Sequence, residues 1–403
     1  MSNIILKKYL EKYFYGPMYS VGSAGGSLPR FFVLSIESSQ VSKIGQVVGD
    51  LTLESVELSK ILVYSVRDRN ILFSYTPPLD DFKNANEILV VGTDLYIVYY
   101  WNSADNTQKS KLVKFTNYKI DLINNTIIYD NIDTVDIGIN AIHGTAVDSK
   151  YIYFSSRNER KFARVGIDAD IADIEVYDLN PIAYYSGSDT MGVYNDDIYL
   201  PTFDLVGGQY FPRIFTVGVN QPTVKKPELI KMVGSFAQYV APLMFVHDGY
   251  AYATEHWFGY NNFWLLNRIN LINREVKVIR IETELPGDPH AFTVDPSTNK
   301  MYITTARNPQ LVTIDLYDFK QVGTHIVKAA QVADPMSNGY YGSPETGYIT
   351  DDIVYGGGYL YMGIEMGKPG FLVMNIYDFN DVLFFPTTYD VFGSVYTLPQ
   401  LVY

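Results

Sequence analysis

The chain has 403 residues, of which 47% are hydrophobic and 19% are charged, and this composition is typical of a folded protein with a large core. Its formal net charge of −13 argues against general binding to nucleic acids or anionic membranes, because both need clustered lysine and arginine. The absence of cysteine excludes disulfides and thiol chemistry, and no apolar run reaches the roughly 18 residues of a membrane-spanning helix.

Residues 1–30 are predicted to form a short helical arm followed by a Gly/Ser linker at 22–27. Apolar residues from Ile4 to Phe14 recur near helical spacing, so a helix is expected over residues 3–14. Charges interrupt this apolar segment and no small-residue cleavage site follows it, which argues against a secretory signal. The helix either packs on its own subunit or docks on a neighbour in a homo-oligomer or a virion.

Residues 31–403 contain repeated copies of one strand pattern. In the clearest copy, Pro289–Leu316, strand-like runs at 290–294, 301–304 and 311–316 are separated by residues that favour turns. A fourth strand is predicted from Gly323 to Val327. A weaker copy lies at 61–64, and six copies align on a second-strand tyrosine: Tyr96, Tyr153, Tyr199, Tyr252, Tyr302 and Tyr361.

One four-stranded unit cannot bury both of its faces, so the copies are predicted to stack around an axis. The irregular spacing of the anchor tyrosines suits blades joined by loops of different length. The predicted fold is therefore all-β, a seven-bladed β-propeller over residues 31–403 with the helical arm before it. To close the ring, residues 31–36 or the last strand-like run, 394–397, are expected to complete a blade begun at the other chain end.

Residues 50–390 resemble the broad group of propellers with NHL, YVTN, strictosidine-synthase-like or gluconolactonase-like repeats. The resemblance rests on degenerate repeat units and implies architecture rather than activity, because propellers host enzymes, adhesins and scaffolds alike. It also implies an orientation. The first strand of each unit is innermost, and its start lies on the same face as the loop between the second and third strands. We call this the mouth face.

The first candidate site is the ring of inner-strand starts. Alignment on the last apolar residue of each first strand gives Glu87, His143, His290 and Asp351 at one position, with the pairs Glu87–His143 and His290–Asp351 on opposite sides. Imidazole beside carboxylate can act as an acid–base pair or a partial metal site. Lactonase-like and virginiamycin-lyase-like propellers place their chemistry in a similar mouth. Alternatively, these side chains only bond loop backbone. No cofactor or complete metal motif is found, so neither is predicted.

The second candidate site is a set of aromatic loops on the same face. Flat rings supply apolar contact area at little entropic cost, and nearby Asn, Gly and Asp supply hydrogen bonds, a combination typical of ligand recognition. In a chain with 35 tyrosines, some of these residues are alternatively expected to pack loops onto the blades. The candidate ligand-binding residues are Trp101, Tyr210, Phe211, His256, Trp257, Phe258, Tyr260, Tyr340 and Tyr341.

The predicted function is non-enzymatic recognition or scaffolding, through a glycan or protein bound at the mouth face. Low charge, many Tyr, Ile and Val and no Cys resemble virion proteins from hot, acidic habitats, so a virion or surface component is expected. One alternative is a lactonase-like hydrolase or virginiamycin-lyase-like enzyme that uses the His/carboxylate ring. Another is a purely structural virion subunit. The expected location is a virion or the cytoplasm.

Overall fold

The structure, a computed structural model, describes residues 32–37, 39–40, 58–102, 108–140, 142–156, 159–179, 190–206, 209–218, 228–233, 243–254, 262–306, 310–327, 350–364, 370–386, 394–395 and 400–402. The predicted helical arm lies outside them. Seven four-stranded antiparallel sheets account for most of the described chain, and the seven-bladed β-propeller predicted from the sequence is confirmed.

Strands are numbered in chain order, and each blade is given from the axis outward. Blade 1 contains β32 (Gln400–Val402), β1 (Phe32–Glu37), β3 (Lys60–Ser65) and β4 (Asn70–Tyr75). Blade 2 contains β5 (Ala85–Val91), β6 (Asp94–Asn102), β7 (Gln108–Thr116) and β10 (Asn131–Asn140). Blade 3 contains β11 (Ile142–Val147), β12 (Tyr151–Ser156), β13 (Lys161–Gly166) and β14 (Glu175–Asp178). Blade 4 contains β15 (Gly192–Tyr194), β16 (Asp197–Val206), β17 (Gln209–Gly218) and β18 (Glu228–Lys231).

Blade 5 contains β19 (Leu243–His247), β20 (Tyr250–Thr254), β21 (Phe263–Asn270) and β22 (Val276–Glu282). Blade 6 contains β23 (Asp288–Asp295), β24 (Lys300–Ala306), β25 (Gln310–Asp315) and β26 (Lys320–Ile326). Blade 7 contains β27 (Thr350–Gly356), β28 (Tyr359–Ile364), β29 (Gly370–Asn375) and β30 (Val382–Pro386). Two small sheets pair β2 (Ser39–Gln40) with β31 (Ser394–Val395), and β8 (Lys119–Asp121) with β9 (Thr126–Ile128). A 3-10 turn spans Ile171–Asp173.

The first strands of successive blades touch each other around the axis. Hydrogen bonds cross between them: Thr145 of β11 donates to the Glu87 carboxylate of β5 at 3.0 Å. The Tyr355 N–H of β27 donates to Thr293 Oγ1 of β23 at 3.1 Å. These contacts make the first strands the wall of the central channel.

The core is divided among the seven interfaces between neighbouring blades, and each interface holds one hydrophobic cluster. The six anchor tyrosines lie in second strands, as predicted, and each is at most 2% exposed. Each packs against the next blade in the chain; Tyr153 of blade 3, for example, packs with Ile198 and Phe215 of blade 4. A long, flat side chain fills the wedge between two twisted sheets, so the tyrosine repeats because the interface repeats.

The ring closes through strands from both ends of the described chain, since Phe32, Val33 and Leu34 of β1 pair with Val402, Leu401 and Gln400. Two expectations about this region are corrected. The copy at 61–64 lies in the third strand of blade 1, not the second, because the inner strand comes from β32. Within the run at 394–397, Ser394 and Val395 pair with Gln40 and Ser39 and do not complete the blade.

Candidate functional site

Four of the first strands have the same irregularity where they begin, at the mouth face. The pairing with the second strand shifts by one residue between Ala85 and Glu87, Ile142 and Gly144, Pro289 and Phe292, and Thr350 and Asp352. Each shift is a β-bulge, which inserts one unpaired residue and changes the direction of the strand. Bulges of this kind are common at barrel rims and beside functional sites.

The bulges contain three of the four residues predicted for the inner ring. His143 is the inserted residue of blade 3, Asp351 that of blade 7, and His290 lies within the bulge of blade 6. Both histidines are half-buried. They lie three blades apart in a ring of seven, so they start their strands on nearly opposite sides of the axis.

Glu87 is one position away from the place that the sequence alignment assigned to it. The register of blade 2 makes Asn86 the inserted residue, equivalent to His143, because Ala85 pairs with Tyr99 and Glu87 with Val98. Glu87 is half-buried, and its carboxylate accepts from Thr145 of blade 3. The error comes from the other end of the strand, because Val91 lies two residues after Leu89, the partner of Tyr96, whereas the last apolar residue of blade 3 lies only one residue after the partner of Tyr153.

Hydroxyl groups of the second strand support the bulges of the two histidine blades. In blade 3, Ser155 Oγ donates to the Gly144 carbonyl at 3.3 Å. In blade 6, the Ala291 N–H donates to Thr304 Oγ1 at 3.2 Å. Ser155 and Thr304 are almost completely buried and occupy the same position, two residues after the anchor tyrosine. This spacing is visible in the sequence, but hydroxyl side chains are common in strands, so it was not among the predicted features.

Close packing also fixes the blade 3 bulge from the side of blade 4. A Cβ on Gly144 would lie 2.2 Å from Ser155 Oγ and 3.0 Å from the Thr190 carbonyl carbon, so only glycine fits there. Next to Gly144, the ring of His143 lies with its centroid 6.2 Å from that of Tyr100. The Tyr100 hydroxyl donates to the Ile142 carbonyl. His143 therefore contacts blade 2, and the residue after it packs against the segment that leads into blade 4.

Two hairpins of the mouth face are longer than that of the blade between them. Strands β6, β12 and β16 all begin two residues before their anchor tyrosine, but β12 has six residues, β6 has nine and β16 has ten. At about 3.3 Å per residue, the hairpins of blades 2 and 4 extend roughly 10 and 13 Å further than blade 3. They belong to the blades on either side of blade 3, and we call the space over blade 3 between them the groove; His143, on the first strand of blade 3, lies at its axial side.

Three of the predicted ligand-binding residues lie on these projecting hairpins. Trp101 pairs with Lys109 in blade 2, and Tyr210 pairs with Leu205 in blade 4. Phe211 is half-buried, and the guanidinium of Arg213 lies 5.5 Å from its ring centroid. Arg213, which no sequence pattern indicated, is itself buried and donates to the Pro212 carbonyl at 2.8 Å. The other predicted ligand-binding residues, His256, Trp257, Phe258, Tyr260, Tyr340 and Tyr341, lie outside the described residues.

Polar side chains connect the hairpin of blade 3 to the outer strand of blade 2. Glu159, in the hairpin loop of blade 3, accepts from the Asn140 N–H at 2.9 Å and from the Asn140 side-chain amide at 3.1 Å. Ser156 donates to the Asn140 carbonyl at 2.6 Å. Across the described ranges no group of three or more metal-binding side chains occurs, and no helix there is long and apolar enough to cross a membrane.

Solved structures with the same fold include two with lactonase names. The periplasmic gluconolactonase PpgL of Pseudomonas aeruginosa has a TM-score of 0.54 and 11% identity, over 92% of this chain and 99% of that chain. A putative 6-phosphogluconolactonase of Bacteroides fragilis has a TM-score of 0.50 and 13% identity, over 92% and 98%. AztD of Citrobacter koseri has a TM-score of 0.49 and 11% identity, over 92% and 98%. These similarities show the fold alone.

Sequence comparison adds no family to this result. No protein-family model matches the chain, and no curated protein matches it at the level of sequence. The resemblance to propellers that the repeats indicated is confirmed at the level of fold.

Proposed function

We propose that the protein is a non-enzymatic recognition propeller that binds a glycan or protein ligand in the groove over blade 3. The observation that carries this proposal is the pair of projecting hairpins, which bear Trp101, Tyr210 and Phe211 on the two sides of the shorter hairpin of blade 3. A groove roughly 10 Å deep suits an extended ligand, such as an oligosaccharide or a peptide segment, better than a small metabolite.

The test compares aromatic residues of the two faces. Phe211→Ala and Trp101→Ala should each weaken binding by about 2 kcal/mol or more, as central aromatic anchors do, with little change in the melting temperature. Tyr377→Ala is the matched control, because Tyr377 is an exposed aromatic of the opposite face. Binding is measured first on a glycan array and then with purified candidate proteins. Binding that survives both groove substitutions and is lost in the Tyr377 variant contradicts the proposal.

A virion or surface location is part of the same proposal and rests on composition, namely abundant Tyr, few charges and no Cys. Mass spectrometry of purified particles tests it. Recovery of the chain only from the soluble fraction of uninfected cells contradicts it and favours the cytoplasmic alternative. If the chain is found in particles but binds no ligand, the purely structural subunit becomes the better description.

A second candidate function is lactone hydrolysis or a lyase reaction at the inner ring. It is favoured by the bulges that place His143 and His290 at the channel mouth and by the lactonase name of a structure with the same fold. The double variant His143→Ala/His290→Ala should then abolish turnover of sugar lactones while Phe211→Ala leaves it intact. Equal turnover by the double variant and the wild type removes this candidate.

A further inference from the structure

The face opposite the mouth carries a repeated apolar feature that the proposed function does not use. The turns between the third and fourth strands of blades 5, 6 and 7 each expose one large apolar side chain at the same position. Ile272 is 74% exposed, Tyr317 87% and Tyr377 77%. We call these three residues the turn arc.

The geometry of the turn explains why these side chains point outward. Each turn starts with Asn or Asp, whose side-chain oxygen accepts a hydrogen bond from a backbone N–H two or three residues later. Asn270 accepts from Ile272 and Asn375 from Tyr377, both at 2.9 Å. Asp315 accepts from Asp318 at 3.0 Å. Such Asx turns need no apolar residue at the tip. Single exposed apolar residues are common on proteins, but the same exposed position in three consecutive blades indicates a surface that something covers.

In the turns of blades 6 and 7, the aromatic residue two positions further along is buried or half-buried, which shows that packing distinguishes these positions. Phe319, two residues after Tyr317, is 5% exposed and packs against Tyr252 of blade 5 with a centroid distance of 6.2 Å. Phe379, two residues after Tyr377, lies 5.1 Å from His325 of blade 6. In both turns, then, the phenylalanine closes an interface between blades and the tyrosine has no such role.

The chain itself leads residues 1–31 to this face. Strand β1 runs from the opposite face toward the mouth, because it is antiparallel to the third strand, and its first residue, Phe32, pairs with Ser65 at the start of the blade 1 turn. The described chain therefore starts on this face, in blade 1, which adjoins blade 7. The 17 residues from 15 to 31 can span about 55 Å, several times the roughly 15 Å breadth of a four-stranded sheet.

Charge and apolar pattern complement the turn arc as well. Residues 1–31 contain four basic side chains and one acidic one, in a chain with 31 basic and 44 acidic residues. Two of the turns that bear the arc are acidic, with Asp315 and Asp318 around Tyr317 and Asp378 beside Tyr377, whereas the turn of blade 5 contains one residue of each charge. The apolar run from Ile4 to Phe14 is interleaved with Lys7, Lys8 and Lys12. We infer that residues 3–14 of the chain dock on its own turn arc, which covers this face and leaves the mouth face free for a ligand.

The absence of native cysteine allows a direct test in the full chain. Leu10→Cys is combined with Tyr317→Cys in one variant and with Asp168→Cys in a control. Asp168 is exposed and lies in the corresponding turn of blade 3. Blades 3 and 6 are each two blades away from blade 1, in opposite directions around the ring, so the two cysteine positions are matched in distance. Under mild oxidation the Tyr317 pair should form an intramolecular disulfide at least about tenfold faster than the control, because a docked segment has a high effective concentration.

Other outcomes overturn the inference. Equal rates in the two variants, or no disulfide in either, show that residues 3–14 do not dock on the arc. Disulfide-linked dimers that disappear on dilution show that the segment binds a second copy. As a second measurement, Lys7→Glu/Lys8→Glu/Lys12→Glu in the Tyr317 pair should slow disulfide formation about fivefold at low salt and less at high salt. An unchanged rate removes the electrostatic part of the argument.

Discussion

The anchor tyrosines show how single residues specify this fold. Each is buried at an interface between blades, and burial raises the pKa of Tyr252 and Tyr302 to about 12. Burial also raises the pKa of Tyr96 and of Tyr153, whose hydroxyl donates to Asp148 at 2.7 Å. The neutral phenol is thus the form that the folded protein stabilises.

Alkali should therefore destabilise the propeller in a defined range of pH. A group whose pKa is raised by folding contributes its full stabilisation below the unfolded value, about 10 for tyrosine, and loses it as the pH rises through the folded value. We expect the free energy of unfolding to fall between pH 10 and about 12, in urea titrations followed by circular dichroism. Tyr302→Phe should reduce the slope in this range and leave stability at pH 7 nearly unchanged. A slope identical to the wild type contradicts this account.

Gly144 provides a second prediction for a single residue. A Cβ there would overlap Ser155 Oγ and approach the backbone of Thr190 and Met191, so Gly144→Ala should lower the free energy of unfolding by about 1–3 kcal/mol. Gly323→Ala is the control, because its Cβ would have no neighbour within 4 Å, and it should change stability by less than about 0.5 kcal/mol. Chemical denaturation measures both. Equal effects would show that the bulge of blade 3 is not closely packed.

At the scale of elements, the interface between blades 7 and 1 is where two distant parts of the chain meet. Arg69, in the outer turn of blade 1, donates to Asp381 of blade 7 at 2.5 Å, and its guanidinium lies 5.5 Å from the ring centroid of Tyr359. Behind this ion pair, Tyr64 contacts Phe371 and Tyr361 with centroid distances of 5.3 and 5.9 Å. The interface thus combines an apolar interior with a charged rim.

The ion pair at this rim should make the interface sensitive to acid. The hydrogen bond from Arg69 lowers the pKa of Asp381 in the folded protein. The pair therefore contributes its full stabilisation at any pH above the ordinary pKa of a carboxyl group, and this contribution is lost as the pH falls through the lowered pKa of the folded state. Because both side chains are about one-third exposed, Asp381→Asn should cost only about 0.5–1 kcal/mol at pH 7. The difference from the wild type should begin to shrink below about pH 4 and should vanish once the pH is below the lowered pKa of Asp381, in denaturation curves at several pH values. A difference that persists in acid contradicts the role of the charge.

Sequence reasoning was reliable where an element repeats and unreliable where an element is split or irregular. Strand periodicity and the anchor tyrosines sufficed for the blade of residues 288–326, whose strands lie close to the predicted ones. Blade 1 was misread because β32 and β1 are separated by most of the chain, and no local pattern indicates that they pair. Glu87 was displaced by one residue because the first strand of blade 2 continues one residue further past the partner of its anchor tyrosine than the first strand of blade 3 does, and the sequence alone does not show which residues pair.

At the scale of the whole molecule, closure of the ring depends on three residues of the described chain. Gln400, Leu401 and Val402 supply the inner strand of blade 1, against which Leu34, Val33 and Phe32 pair. Without them the inner edge of β1 would face the channel with unpaired backbone groups. Closure is thus a property of both ends of the described chain together.

A chain that stops at residue 399 should therefore be much less stable than one lacking an equal length elsewhere. Loss of three paired residues removes about 3 kcal/mol of backbone hydrogen bonding, before any exposure of Val33 and Leu34 is counted. We expect a lower melting temperature and a larger radius of gyration by small-angle scattering. Deleting the four residues 22–25, within the Gly/Ser linker, is the control and should change neither quantity. A truncated chain that melts with the wild type would show that β32 does not close the ring.

The late position of β32 also has a consequence for biosynthesis. A ribosome completes the three outer strands of blade 1 before residue 76, but makes the strand that pairs with β1 only at residues 400–402. At about 5–20 residues per second, β1 waits roughly 20–60 s with its inner edge unprotected while the other blades emerge. During this time its buried residues Val33, Leu34 and Ile36 are an available target for chaperones or for the same strand of another nascent chain. Every prematurely terminated product would keep that edge open, so an unpaired β1 distinguishes incomplete chains from finished ones.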